Sequence, residues 1–136
     1  MRRKILLLLF LATYVISVPV FGYDMQDKID HLLIYVENTE CQYERNGKLH
    51  ARMNSVEHIK KKYNYFKKEI DSAEQFIELS ATKSTITGKY YMVLCEGSPK
   101  TRSREWLLKE LKNYRRINPN NTFNMDLGDA VRPSAI

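Results

Sequence analysis

A chain of 136 residues with 43% hydrophobic and 28% charged residues can build one packed domain and no more, which excludes enzymes that divide cofactor and substrate between two domains. Only 5 Gly and 4 Pro argue against collagen-like or wholly disordered chains. The formal charge of +6 invites an anionic partner, but part of that charge sits at the extreme N-terminus and belongs to a different signal.

Arg2, Arg3 and Lys4 form a basic cluster ahead of an uncharged apolar run from Ile5 to Val18, and Pro19 then interrupts the run before Gly22. This is the pattern of a secretory signal peptide, expected over residues 1 to 22 with cleavage after Gly22. A bilayer-spanning helix needs about 20 apolar residues, so a retained anchor is the alternative, and no later segment could cross a membrane. Cleavage removes those three basic residues and no acidic ones, taking the formal charge from +6 to +3. The mature domain is expected over 23 to 116.

Met25, Ile29, Leu32, Leu33 and Val36 recur at the helical interval, with Asp24 and Asp27 where negative charge suits the helix dipole. The spacing predicts a helix over 24 to 38. From Cys41 to His50, alternating apolar and polar residues flank Asn46-Gly47, the pair that a type I′ hairpin turn favours because both positions need positive φ. Two short strands follow from it.

Met53, Val56, Ile59, Tyr63, Phe66 and Ile70 step by three or four and predict a second helix with Phe66 in its core stripe. Its other face carries Lys60, Lys61, Lys62, Lys67 and Lys68. At about 100° per residue, His58 and Lys62 share a flank away from that stripe. Asp71-Ser72-Ala73-Glu74 has the capping-box interval, Asp71 to Glu74, and opens a short helix that buries Ala73, Phe76, Ile77 and Ser80. The hydroxyl-rich stretch from Ala81 to Lys89 then leads into Tyr90-Tyr91-Met92-Val93-Leu94-Cys95, a run suited to a buried strand. Glu96-Gly97-Ser98-Pro99 ends it. A last helix is expected from Ser103 to Arg116 on Trp106, Leu107, Leu111 and Tyr114, with 117 to 136 a disordered tail. The elements amount to a small single-domain α+β fold, about four helices packed on a short antiparallel sheet.

Export gives the two cysteines one possible bridge, Cys41 with Cys95; the alternative is two packed thiols. On the chain-entropy model the bridge contributes ~4 kcal/mol. Neither cysteine stands at a finger-like spacing from His31, His50 or His58, so no metal site is expected. Ser80-Ala-Thr-Lys83 fits the S-x-x-K signature of penicillin-interacting serine enzymes, but the companion motifs are missing and the chain is too short for that fold. The Lys face with interleaved Tyr63, Tyr65 and Phe66 argues for a solvated helix side rather than a nucleic-acid surface.

Five blocks, Tyr43-Glu-Arg-Asn-Gly47, Val56-Glu-His-Ile-Lys-Lys-Lys-Tyr63, Ile70-Asp-Ser-Ala-Glu-Gln-Phe-Ile77, Ala81-Thr-Lys-Ser-Thr-Ile-Thr-Gly-Lys-Tyr90 and Ser103-Arg-Glu-Trp-Leu107, follow one another in order. Together they closely resemble the YfeK-like bacterial secreted proteins, a domain of unknown function, over about residues 24 to 116. Tyr90 replaces that family's usual proline, and Lys48 to Asn54 match it only loosely. The resemblance implies an exported, periplasmic protein of Gram-negative bacteria, and it implies no activity, substrate or cofactor. Carried onto this chain, its motif positions are Arg45, Asn46, Gly47, His58, Lys62, Glu74, Ser84, Thr85, Thr87, Gly88 and Trp106. Asn46, Gly47 and Gly88 read as turn residues and Trp106 as a packing aromatic. Arg45, His58, Lys62, Glu74, Ser84 and Thr85 are the binding candidates, a donor-rich cationic group suited to a carboxylate or phosphate.

The leading expectation is a non-enzymatic binding module of the cell envelope, without cofactor, whose partner is an envelope protein or a small anionic ligand. One alternative is a small hydrolase or transferase with His58 as general base and Glu74 orienting it. A second is a binder of membrane surfaces or anionic polymers through the Lys60 to Lys68 face.

Overall fold

The computed structural model describes residues 21–119. The basic cluster and apolar run of the expected signal peptide, and nearly all of the expected tail, lie outside the described residues. Within them the chain forms α1 (Phe21–Asn38), β1 (Gln42–Arg45), β2 (Lys48–His50), α2 (Arg52–Phe66), α3 (Ala73–Phe76), β3 (Met92–Leu94), β4 (Thr101–Arg102) and α4 (Ser103–Ile117). A 3-10 turn, Lys67–Glu69, follows α2, and α3 continues as a π-helical turn over Ile77–Ala81. This is a small α+β domain.

The sheet is antiparallel in the order β2-β1-β3-β4. Asn46 and Gly47 join β1 to β2 with φ of 52° and 78°, the left-handed pair that this hairpin turn requires. Tyr43 lies opposite Val93 on the next strand, and both side chains are almost fully buried. They form the sheet's contribution to the core. The helices supply the rest: Ile29, Leu32, Leu33 and Val36 from α1, Val56, Ile59 and Tyr63 from α2, Phe76 and Ile77 from the α3 segment, Leu107 and Leu111 from α4. Trp106 stands edge-on to Tyr43 at 6.0 Å and packs against Tyr35 at 4.5 Å, so it seals the α1/α4 side of the sheet.

A disulfide joins Cys41 to Cys95, tying the start of β1 to the end of β3. It closes a loop that contains the hairpin, α2, α3 and the hydroxyl-rich segment. No described helix is long and apolar enough to cross a membrane.

Several local expectations need correcting. The buried arc of α2 is Ser55, Val56, Ile59, Lys62 and Tyr63, so it is turned toward the Ser55-Ile59-Lys62 row. Met53 is half exposed, and Phe66, expected in the core, is only partly buried. The reason is that α2 stops at Phe66, and Ile70 reaches the core from extended backbone beyond the 3-10 turn rather than from the same helical stripe. Lys62, expected on a solvated flank, is buried. The cap of α3 is Ser72, not Asp71: its hydroxyl accepts from the Gln75 amide, while the Gln75 side chain accepts from the Asp71 amide. The β3 strand is shorter than the 90 to 95 run, with Tyr91 buried and Tyr90 exposed. The two-residue β4 was not foreseen, because so short a strand has no periodicity to read.

Candidate functional site

The β1–β3 register, continued by one pair of inward positions, sets Arg45 opposite Tyr91 on the same face as Tyr43 and Val93. Here the sheet is not closed by apolar side chains. The flank of α2 and the segment 82–91 come up against it instead, and together they enclose a cleft of about 590 Å³. Its polar lining is Arg45, Asn46, His58, Lys61, Lys62, Ser84 and Thr85, and its apolar and aromatic lining is Tyr65, Phe66, Ile86 and Tyr91.

His58, Lys62, Ser84 and Asn46 are each held by an identifiable contact. His58 Nε2 lies 3.0 Å from the Tyr91 hydroxyl, and the two rings meet edge to face at 5.6 Å. The Lys62 ammonium donates to the Lys83 carbonyl at 2.6 Å and sits 5.2 Å from the centre of the Tyr91 ring. Tyr91 is itself fixed at both backbone groups, its amide donating to Thr82 and its carbonyl accepting from the Ser103 amide, each at 2.9 Å. Tyr91 is thus the post on which His58 and Lys62 are arranged.

The hydroxyl-rich segment is a tight turn. The Ser84 hydroxyl accepts from the amides of Ile86 and Thr87, the Ser84 amide donates to the Lys89 carbonyl, and Gly88 takes φ of 70° to close the turn. Thr87 donates to the Asn46 side chain at 2.7 Å, which pins this turn to the hairpin. Ser84 is therefore occupied in shaping the loop, and Thr85 is the exposed hydroxyl that it presents at the cleft.

The electrostatics are one-sided. No carboxylate lines the cleft, and among the described residues none pairs with Arg45, Lys61 or Lys62. Among the described residues ion pairs occur elsewhere, Lys28 with Asp24, Arg52 with Glu40, Lys100 with Glu44, Arg104 with Glu78 and Arg115 with Glu74, while exposed cations such as Lys60 and Lys68 form none. The Arg45 Nε is buried and has no hydrogen-bond partner. Burial lowers the pKa of Arg45 and of Lys62, and it raises that of Tyr91. His58 is pushed down to about 4, by burial first and then by the positive charges of Arg45 and Lys62, so its imidazole is neutral at pH 7.

The structure thus brings Arg45, His58, Lys62, Ser84 and Thr85 together and leaves Glu74 elsewhere. Glu74 is bound to Arg115 of α4, which holds its carboxyl below the usual range, and it does not reach His58. The imidazole's partner is Tyr91, so the orienting carboxylate expected for a His58 general base is not Glu74. Sequence reasoning also missed Lys61, Tyr65, Phe66, Ile86 and Tyr91 as lining residues. For Tyr91 a signal existed, since the period-two step from Val93 places it on the inward face. Of the lysine face, Lys60, Lys67 and Lys68 remain exposed outside the cleft. No group of three or more potential metal ligands occurs among the described residues.

Residues 23–115 match a family described as "Family of unknown function (DUF5329)". A stretch of 55 residues is 38% identical to "Uncharacterized protein YfeK" of Salmonella typhimurium, covering 40% of this chain and 46% of that protein, so the aligned stretch spans under half of the relative's length. No solved structure matches the chain.

Proposed function

This chain belongs to the DUF5329 family of unknown function, and we propose that it is an exported, non-enzymatic binding module that takes a small anionic ligand in the cleft between β1, α2 and the segment 82–91. The observation that carries this reading is the lining of the cleft, which gathers Arg45, Lys61 and Lys62 with no carboxylate among them. Partly buried cations with no counter-charge beside them gain charge-assisted hydrogen bonds from a carboxylate or phosphate. Lys62 spends one ammonium proton on the Lys83 carbonyl and keeps two for a ligand. Arg45, His58 and Lys62 are the binding residues, with Thr85 at the mouth. Ser84 and Asn46 hold the loop and the hairpin in register around them.

Export is supported by the basic and apolar N-terminal pattern, by the disulfide, which suits an oxidising compartment, and by a family match that begins at Tyr23, the residue expected to follow cleavage. The periplasm is the compartment this reading assigns. The intact mass of protein from the periplasmic fraction should correspond to a chain starting at Tyr23, and a full-length chain in the membrane fraction would reject it.

The binding reading is tested by adding acetate or inorganic phosphate at constant ionic strength to isotope-labelled protein and following backbone and side-chain signals. The expected result is saturable shifts confined to Arg45, His58, Lys62, Tyr91 and the 84–88 turn, abolished by Arg45→Met. Shifts scattered over exposed lysines outside the cleft, unaffected by that substitution, would place anion binding elsewhere and refute the proposal.

A further inference from the structure

Above the cationic floor the cleft changes character. Tyr65 and Phe66 meet edge to face at 4.8 Å on the end of α2, and Tyr65 is 81% exposed. Across from them Ile86 stands at the tip of the Ser84 turn, 94% exposed although it is the most apolar residue of that loop. An isolated exposed apolar residue means little, but this one is held outward by a turn whose amides at 86 and 87 both bond to the Ser84 hydroxyl and whose Thr87 is tied to Asn46. The apolar tip is preorganised at the cleft mouth. With Tyr65 and Phe66 it forms an apolar rim over a floor that holds Arg45 and Lys62.

We propose that the ligand is a small organic carboxylate with an apolar or aromatic body, its carboxylate held by Arg45 and Lys62 and its body resting between Ile86 and the Tyr65–Phe66 corner. This rests on the anion-binding reading above and adds the class of anion. Arginine pairs with carboxylate and phosphate alike, so the preference for an organic carboxylate over inorganic phosphate comes from the apolar rim rather than from the cations. An apolar body is favoured because a bare, strongly hydrated anion gains nothing from the rim, whereas covering Ile86, Tyr65 and Phe66 removes apolar surface from water. The cleft volume of about 590 Å³ falls within the range of pockets that hold single small molecules, so a free acid fits it without a polypeptide partner.

The test is calorimetric titration of protein recovered with its disulfide intact from an export-competent host. The probes are 4-phenylbutyrate, its amide, acetate and inorganic phosphate. The expected result is 4-phenylbutyrate binding at least about tenfold more tightly than acetate, phosphate or the amide, a tenfold step being about 1.4 kcal/mol. Ile86→Ser, at a position too exposed to affect folding, should weaken 4-phenylbutyrate at least about threefold and leave acetate unchanged. Acetate or phosphate binding as tightly as 4-phenylbutyrate, with all binding lost in Arg45→Met, would leave anion binding standing and overturn the apolar-body inference. The amide binding as tightly as the acid, or none of the four binding, would overturn both.

Discussion

Tyr43 and Arg45 lie two residues apart on one strand and one face, yet they meet opposite surroundings. At Tyr43 the inner face is closed: Val93 is paired across the sheet, Trp106 stands edge-on, and burial raises the pKa of the phenol, whose oxygen lies 3.4 Å from the Ser103 hydroxyl. At Arg45 the same face opens into a cleft where a guanidinium, a neutral imidazole and a buried ammonium gather around Tyr91 without an acid among them. Apolar burial accounts for the first end, and it does not account for the second. Buried polar groups are ordinarily satisfied; the Nε of Arg45 is not, nor are Asp24 Oδ1 and Ser80 Oγ on the helical side.

Substitutions at the closed end should therefore be the costly ones. Tyr43→Ala empties a fully buried aromatic site and should lower the unfolding free energy by about 3–5 kcal/mol in a denaturant titration, within the range for large-to-small core changes. Next comes the disulfide that clamps this sheet. Breaking Cys41–Cys95 by a double Ser substitution should cost about 2–4 kcal/mol through loop entropy, seen as a lower midpoint with the native spectrum retained below it.

The open end should respond differently to each of its cations. Lys62→Ala leaves the Lys83 carbonyl without its donor and should cost about 1–3 kcal/mol. Arg45→Met removes a charge with no partner and keeps an apolar stem, so the unfolding midpoint should stay within about 0.5 kcal/mol of wild type or rise. Arg45→Met destabilising the fold as much as Tyr43→Ala would erase the contrast between the two ends.

The smallest effect is a slope. His58 is held near 4, below its ordinary 6.5, so as pH falls through this interval the unfolded chain takes up a proton before the folded one does. Stability should fall between about pH 6.5 and 4, and His58→Gln should show a shallower fall than wild type. Glu74, held low by Arg115, adds acid sensitivity of its own, but that is common to both proteins and drops out of the difference.

The closed end was largely legible in the sequence, because its signals are local. Tyr43 and Val93 stand in short apolar-polar alternations, and the helices flanking them show their stripes at intervals of three and four; Asn46-Gly47 likewise names the hairpin turn, which lies at the open end. The cysteine pairing follows from an even count and an export signal. The open end is assembled from residues far apart in the chain: Arg45 at a strand end, His58 and Lys62 on a helix, Tyr91 before another strand. The chemical types of Arg45, His58 and Lys62 were readable, and the family resemblance grouped these three with Ser84 and Thr85, but Tyr91 was not among them. That Lys62 is buried was not, since a run of Lys60, Lys61 and Lys62 looks equally solvated until the helix is docked. Glu74 was grouped with them as a motif position of the family that the chain resembles, and Arg115, forty-one positions away, claims it instead.

The charge environment of the cleft underlies the binding reading, and His58 reports it without any ligand. Its imidazole signals, assigned separately from His31 and His50, can be followed by NMR through a pH titration of the wild type and of Arg45→Met. The expected midpoint is near 4 in the wild type, with a partial return toward 6.5 when the Arg45 charge is removed and burial maintaining the remainder of the shift. A wild-type midpoint near 6.5 that Arg45→Met leaves unmoved would mean that the cleft is neither desolvated nor positively charged at its floor, and the central claim would be wrong.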